Sequence, residues 1–126
     1  MDNKLIEKAV EFHGHKCGGL LLGLKAADTA LEIFNRQAFV NGEIVVTMKK
    51  KACPADGMTV SLGVRADNNT LKFDEGLAYD ITLFDIIEEK EVALRRKEAP
   101  IEMSNEDYMN YIIKAPNTAI YEIIEL

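Results

Sequence analysis

Thr70-Leu71-Lys72-Phe73, the turn residues Asp74-Glu75-Gly76, and Tyr79-Asp80-Ile81-Thr82-Leu83-Phe84 carry apolar and polar side chains in alternation on either side of a break. Alternation sorts side chains onto the two faces of an extended chain, and Asp and Gly serve tight turns, so the stretch is expected to form a β-hairpin. A hairpin makes neighbouring strands antiparallel. Upstream, Asn41-Gly42 is another turn signal, and Glu43-Ile44-Val45-Val46-Thr47-Met48 reads as a strand. Downstream, Glu91 to Arg96 reads as a strand and Ala119 to Ile124 as a closing one. Between them Ser104 caps a short helix, acidic in its first turn, that reaches about Ala115.

Before the strands the apolar spacing lengthens to helical. Leu5, Ile6, Ala9, Val10 and Phe12 predict a helix from Asn3 to about Phe12, capped by Asp2 or Asn3. Leu21, Leu24, Ala27, Leu31 and Phe34 predict a long central helix from Leu20 to about Arg36, with Lys25, Asp28 and Glu32 on its other side. Gly19 and Gly23, one turn apart, would let another element approach closely. Cys53-Pro54-Ala55-Asp56-Gly57 reads as a further helix start, with Cys53 at the cap and Pro54 at the first helical position. Helices first, then strands joined by short turns, imply an α+β fold: two N-terminal helices packed on a mainly antiparallel sheet, with short additional helices, in one domain over residues 1–126.

Composition narrows the function classes. Hydrophobic residues make up 48% of the 126, enough for a core that needs no disulfide. No apolar run approaches the roughly 20 residues that span a bilayer. The opening Met1-Asp2-Asn3-Lys4 lacks the basic start and apolar stretch of a secretory signal, so a cytoplasmic location is expected. A net charge of −6 argues against nucleic acid as a partner. The basic run Lys49-Lys50-Lys51 reads as a solvated strand end, or as a device steering a small anion towards Cys53. No glycine-rich phosphate loop is present.

The chain's only two histidines, His13 and His15, fall within three residues and beside one of its two cysteines, in His13-Gly14-His15-Lys16-Cys17-Gly18-Gly19. Residues two apart point to opposite sides of a helix, so a shared target requires a curled, non-helical segment, which Gly14 and Gly18 permit. Two of the three side chains as ligands, with one as acid/base or outer partner, is the expected division. Cys17 precedes the central helix and Cys53 begins the third. Both sulfurs are therefore expected near a positive helix end that stabilises a thiolate. Thiolate with imidazole suits zinc, and also nickel, copper or iron. Asp56 either caps its helix or binds or orients a ligand. No CxxC pair of the kind common in closed zinc sites occurs, which favours an open site.

Phe12-His13-Gly14-His15-Lys16-Cys17-Gly18-Gly19-Leu20, followed by Gly23 and Ala26-Ala27, resembles the opening of the formylmethanofuran dehydrogenase E-subunit family, whose pattern is approximately FHGHxCPGLxxG. Cys53-Pro54-Ala55-Asp56-Gly57 resembles that family's later CxxD helix start. Gly18 stands where the family usually has proline. Gly63-Val64-Arg65 stands where it has Gly-Cys-Thr, so a third thiol is missing, and the CxxC pairs of a C-terminal zinc ribbon have no counterpart. The resemblance implies an α+β core, a tendency to dimerise, and a His/Cys cluster in a cleft. Matched residue by residue it places His15, Cys17 and Cys53 at the metal, with Cys17, His13 and Asp56 as candidate chemical groups. It implies partnership with the molybdenum or tungsten formylmethanofuran dehydrogenase. That enzyme's metal and pterin belong to another subunit, so the resemblance does not by itself make the chain a dehydrogenase.

Three readings follow. The first is a metal-binding accessory or enzyme-like protein holding zinc, nickel or iron. The second is a thiol-redox or metal-delivery protein using Cys17 and Cys53. The third is an interaction module whose site only pins a loop. A homodimer packed through the Gly19/Gly23 face is expected alongside the first, as is a cluster in which His15, Cys17 and Cys53 face one cavity with Asp56 at its rim.

Overall fold

The computed structural model describes residues 1–126. Helix α1 spans Asn3–His13 and α2 spans Gly18–Ile33; strand β1 (Ile44–Met48) leads to α3 (Cys53–Leu62). After a 3₁₀ turn at Ala66–Asn68 come β2 (Leu71–Phe73), β3 (Ile81–Asp85) and β4 (Lys90–Arg96). Helix α4 (Asn105–Lys114), the single turn α5 (Asn117–Ile120) and β5 (Tyr121–Glu125) complete the chain. No helix is long and apolar enough to cross a membrane.

The strands form one sheet in the order β2-β1-β3-β4-β5. The pairs β1–β3, β3–β4 and β4–β5 are antiparallel, so the fold is α+β with a mainly antiparallel sheet. The expected 70–84 hairpin does not form. Leu71 pairs parallel with Val46 of β1, and β3 lies on β1's other edge. A parallel pair needs a long crossover, and α3 supplies it, making β1–α3–β2 a strand–helix–strand unit. The Asp74 turn is nevertheless real: its carboxylate accepts the Gly76 N–H at 2.9 Å. The chain leaving that turn runs past the end of β1 rather than folding back on β2.

One sheet face is apolar and buried: Ile44, Val46 and Met48 from β1, Ile81 and Leu83 from β3, Val92 and Leu94 from β4. These join Leu20, Leu21 and Leu24 of α2 in one core cluster, each large side chain contributing about 1.5–3 kcal/mol. Helix α1 lies against α3 and α2 rather than directly on the strands.

Glycines set the spacing of α2 and α3. A Cβ placed on Gly23 would lie 2.1 Å from the Pro54 carbonyl oxygen, and one on Gly57 would lie 2.7 Å from the Leu20 carbonyl oxygen. The two backbones touch where side chains would hold them apart. The close approach expected of Gly19 and Gly23 is therefore made within the chain. That corrects the idea of a dimer built on this face, because α3 already fills it.

The polar side of α2 is covered at Lys25, while Asp28 and Glu32 stay exposed. Lys25 is buried, and its ammonium donates to the Ala115 carbonyl at the end of α4; burial lowers its pKa. Asn117 Nδ2 donates to Asp28 Oδ2 at 3.0 Å, and the Tyr121 hydroxyl donates to the Leu22 carbonyl at 2.8 Å. The C-terminal third is thus latched to α2 by polar bonds from residues that helical spacing alone assigns to solvent.

Candidate metal centre

Gly14 ends α1 in the left-handed region (φ 101°), and its N–H bonds to the Val10 carbonyl at 2.8 Å. A side chain there would be strained, so glycine lets the chain reverse immediately after His13. Cys17 then caps α2: its Sγ accepts the Leu20 N–H at 3.4 Å. Gly18 and Gly19, expected in a loop, form the first turn of that helix. Gly19 leaves room for Cys53, whose Cβ lies 2.8 Å from where a Gly19 Cβ would be. The N-cap of α3 is Ala52, so Cys53 is the first residue inside the helix rather than its cap.

The curled segment brings the donor atoms of His13, His15 and Cys17 within 4.8 Å of one another. His13 Nε2 is 3.7 Å from Cys17 Sγ, and the two imidazole centroids are 4.7 Å apart. Behind His13, Asp56 does not cap α3. Its Oδ2 lies 2.7 Å from His13 Nδ1, across 43 residues of sequence. A protonated Nδ1 donates that bond and turns Nε2 towards Cys17. Cys53 stands outside the mutually close trio, on the first turn of α3 against Gly19. The cluster lies near the surface, with His15 exposed, Cys17 and Cys53 half-buried, and the His13 side chain 11% accessible.

The electrostatics follow from these contacts. The Asp56 carboxylate raises the pKa of His13 above 6.5; burial opposes the rise and Cys17 adds to it. At Cys17 burial opposes ionisation, but the Leu20 amide, the Cys53 thiol and His13 together outweigh it and hold the pKa below the ordinary thiol value. Cys53 is pushed the other way, first by its interaction with the Cys17 thiol and then by burial. Of the two cysteines, Cys17 is thus the more readily ionised.

Tetrahedral zinc bonds of about 2.0–2.3 Å place neighbouring donors about 3.3–3.8 Å apart. The His13–Cys17 separation of 3.7 Å already lies in that range. His15, on the exposed turn between Gly14 and Gly18, has about 1 Å to travel from the 4.8 Å limit of the trio. The donor set therefore fits a transition-metal ion. A histidine anchored by a carboxylate through its far nitrogen is also the usual outer support of such a ligand.

Two features of the site were hidden in the sequence. Nothing local links Asp56 to His13. Tyr108, from α4, lies beside Gly18, with its ring carbon 3.7 Å from where a Gly18 Cβ would be.

The family described as "FmdE, Molybdenum formylmethanofuran dehydrogenase operon" matches residues 12–122. No curated protein matches the chain. Among solved structures, an FmdE-like protein of Syntrophus aciditrophicus, described as resembling the tungsten formylmethanofuran dehydrogenase component of that name, superposes with a TM-score of 0.67 at 18% identity, covering 98% of this chain and 71% of that one. At that identity the likeness establishes the fold alone. The family match takes in both the His13–Cys17 segment and the Cys53–Asp56 turn, and on it the chain belongs to the FmdE family.

Proposed function

We propose that the chain binds one zinc-type transition-metal ion through His13, His15 and Cys17, and serves as a metal-binding accessory protein of a formylmethanofuran dehydrogenase system. The observation that carries this reading is the Asp56–His13–Cys17 chain of contacts, 2.7 Å and then 3.7 Å, with His15 as a further donor beside it. These contacts favour His13 as a ligand, where the sequence had favoured Cys53.

The chain's own residues prepare the site. Asp56 fixes the His13 tautomer and ring orientation through Nδ1. The N-terminus of α2 and the Leu20 amide favour the Cys17 thiolate. The raised pKa of Cys53 favours its thiol form, which would serve as an acid or, once ionised, as a further donor. A bound ion of this type supplies Lewis acidity and lowers the pKa of a coordinated water. Nickel and iron share the same donor preferences. The family's name supports association with the molybdenum or tungsten enzyme. A cytoplasmic location, one domain and a homodimer formed on a face other than Gly19/Gly23 belong to the same reading.

A second reading has its own support. Cys53 packs against Gly19, two residues after Cys17, and the acidities of the two thiols are shifted in opposite directions, which suits metal transfer or thiol exchange. Metal analysis of untagged, reduced protein separates the two. The accessory reading expects one tightly held ion per chain, abolished by Cys17→Ser and only weakened by Cys53→Ser. Equal loss in both variants, with readily exchanged metal, favours delivery. Failure of the reduced protein to take up any ion at neutral pH rejects the metal site.

A further inference from the structure

Three basic side chains gather round a cavity away from the His/Cys cluster. A cavity of about 240 Å³ opens between the end of β1, the start of α3 and the paired ends of β4 and β5. Its wall is apolar and deeply buried: Leu22, Met48, Ile81 and the Tyr121 ring are each no more than 7% accessible. Pro54, the residue after Cys53, closes one side.

Lys49, Lys50 and Arg96 line the same cavity, and all three are exposed. One carboxylate, Asp80, stands with them; its Oδ2 accepts the backbone N–H of Arg96 at 2.7 Å. The chain's ion pairs engage Arg36, Arg65, Lys90, Arg95 and His13, and none engages Lys49, Lys50 or Arg96. In a chain of net charge −6, three cations without carboxylate partners gather round one apolar recess. Solvated lysines on open surface attract anions only weakly, because salt screens them. Here a charged group could meet the cations at the rim while its apolar body leaves water against the buried wall.

We propose that this cavity binds a small organic anion with an apolar body, such as a short-chain carboxylate. Its volume is somewhat below the roughly 300–1,000 Å³ of drug-sized sites, so the fitting ligand is small. The cavity shares no lining residue with the His13, His15 and Cys17 cluster, and the inference does not depend on what that cluster holds.

Titration of isotope-labelled protein with hexanoate, followed by amide NMR shifts, tests it. Saturable shifts are expected at Met48, Ile81, Arg96 and Tyr121, with dissociation in about the millimolar range for so small a ligand. Hexanol, with the same body and no charge, should bind at least about tenfold more weakly, as should hexanoate to Arg96→Gln or Lys50→Gln, through loss of a charge-assisted contact. Added salt should weaken hexanoate and leave hexanol unchanged. Equal binding of hexanol and hexanoate, unchanged affinity in both variants, or shifts confined to other surfaces would overturn the proposal.

Discussion

Gly23→Ala probes the packing on which the whole site depends. The new Cβ would sit 2.1 Å from the Pro54 carbonyl oxygen, where ordinary contact begins at 3.4 Å. The obstacle is backbone, so no rotamer change relieves it, and α3 must retreat from α2 by about 1 Å or more. Alanine gains about 1 kcal/mol of helix propensity over glycine. Overpacking of a close contact costs about 1–3 kcal/mol, and the gaps opened along the retreating helix add to that. The expected net loss is about 1–3 kcal/mol, read as a lower urea midpoint. Cys53 and Asp56 ride on α3, so the 2.7 Å Asp56–His13 bond should loosen as well. Loss of such an outer partner weakens metal binding about 10–100-fold, measurable by chelator competition. A Gly23→Ala protein with unchanged midpoint and unchanged metal affinity would refute both the close crossing and its role in the site.

Gly18→Pro should be tolerated and should stabilise the fold by about 0.4–1 kcal/mol in thermal or urea unfolding, because the position opens α2, lacks a positive φ, and meets only Tyr108 at 3.7 Å. Asp56→Asn should destabilise the metal-free protein most at mildly acid pH. The Asp56 contact raises the folded-state pKa of His13, so its stabilisation is fully present below 6.5 and fades as pH rises through the raised value. Urea midpoints that keep a constant wild-type-to-variant gap across that range would contradict the His13–Asp56 pairing. Iodoacetamide should modify Cys17 before Cys53 in metal-free protein, with Cys17 reacting at a pH below that of an ordinary thiol; mass mapping showing Cys53 first would reverse the assignment.

Much of this was legible in the sequence because it rests on local physics. Helical spacing located α1 and α2, the Ser104 cap with its acidic first turn located α4, and alternation found the strands. The donor cluster was legible because His13, His15 and Cys17 adjoin in sequence and glycine permits the curl. Partner choice was not local. Whether Leu71–Phe73 pairs with β1 or β3 depends on α3 acting as a crossover, which no turn residue announces. The Asp56–His13 bond depends on α1 and α3 both lying against α2, and two acceptable roles for Asp56 could not be separated before that packing was known. Lys25 looked solvated because its cover comes from α4 and α5, some 90 residues downstream.

X-ray absorption spectroscopy of the zinc-loaded, reduced chain reads the ligand shell of the ion itself. One ion per chain is expected, with two imidazole nitrogens at about 2.0–2.1 Å and a sulfur at about 2.3 Å, the sulfur disappearing in Cys17→Ser. A first shell of oxygen and nitrogen alone in the unmodified chain, or a sulfur that persists unchanged in Cys17→Ser, would contradict it.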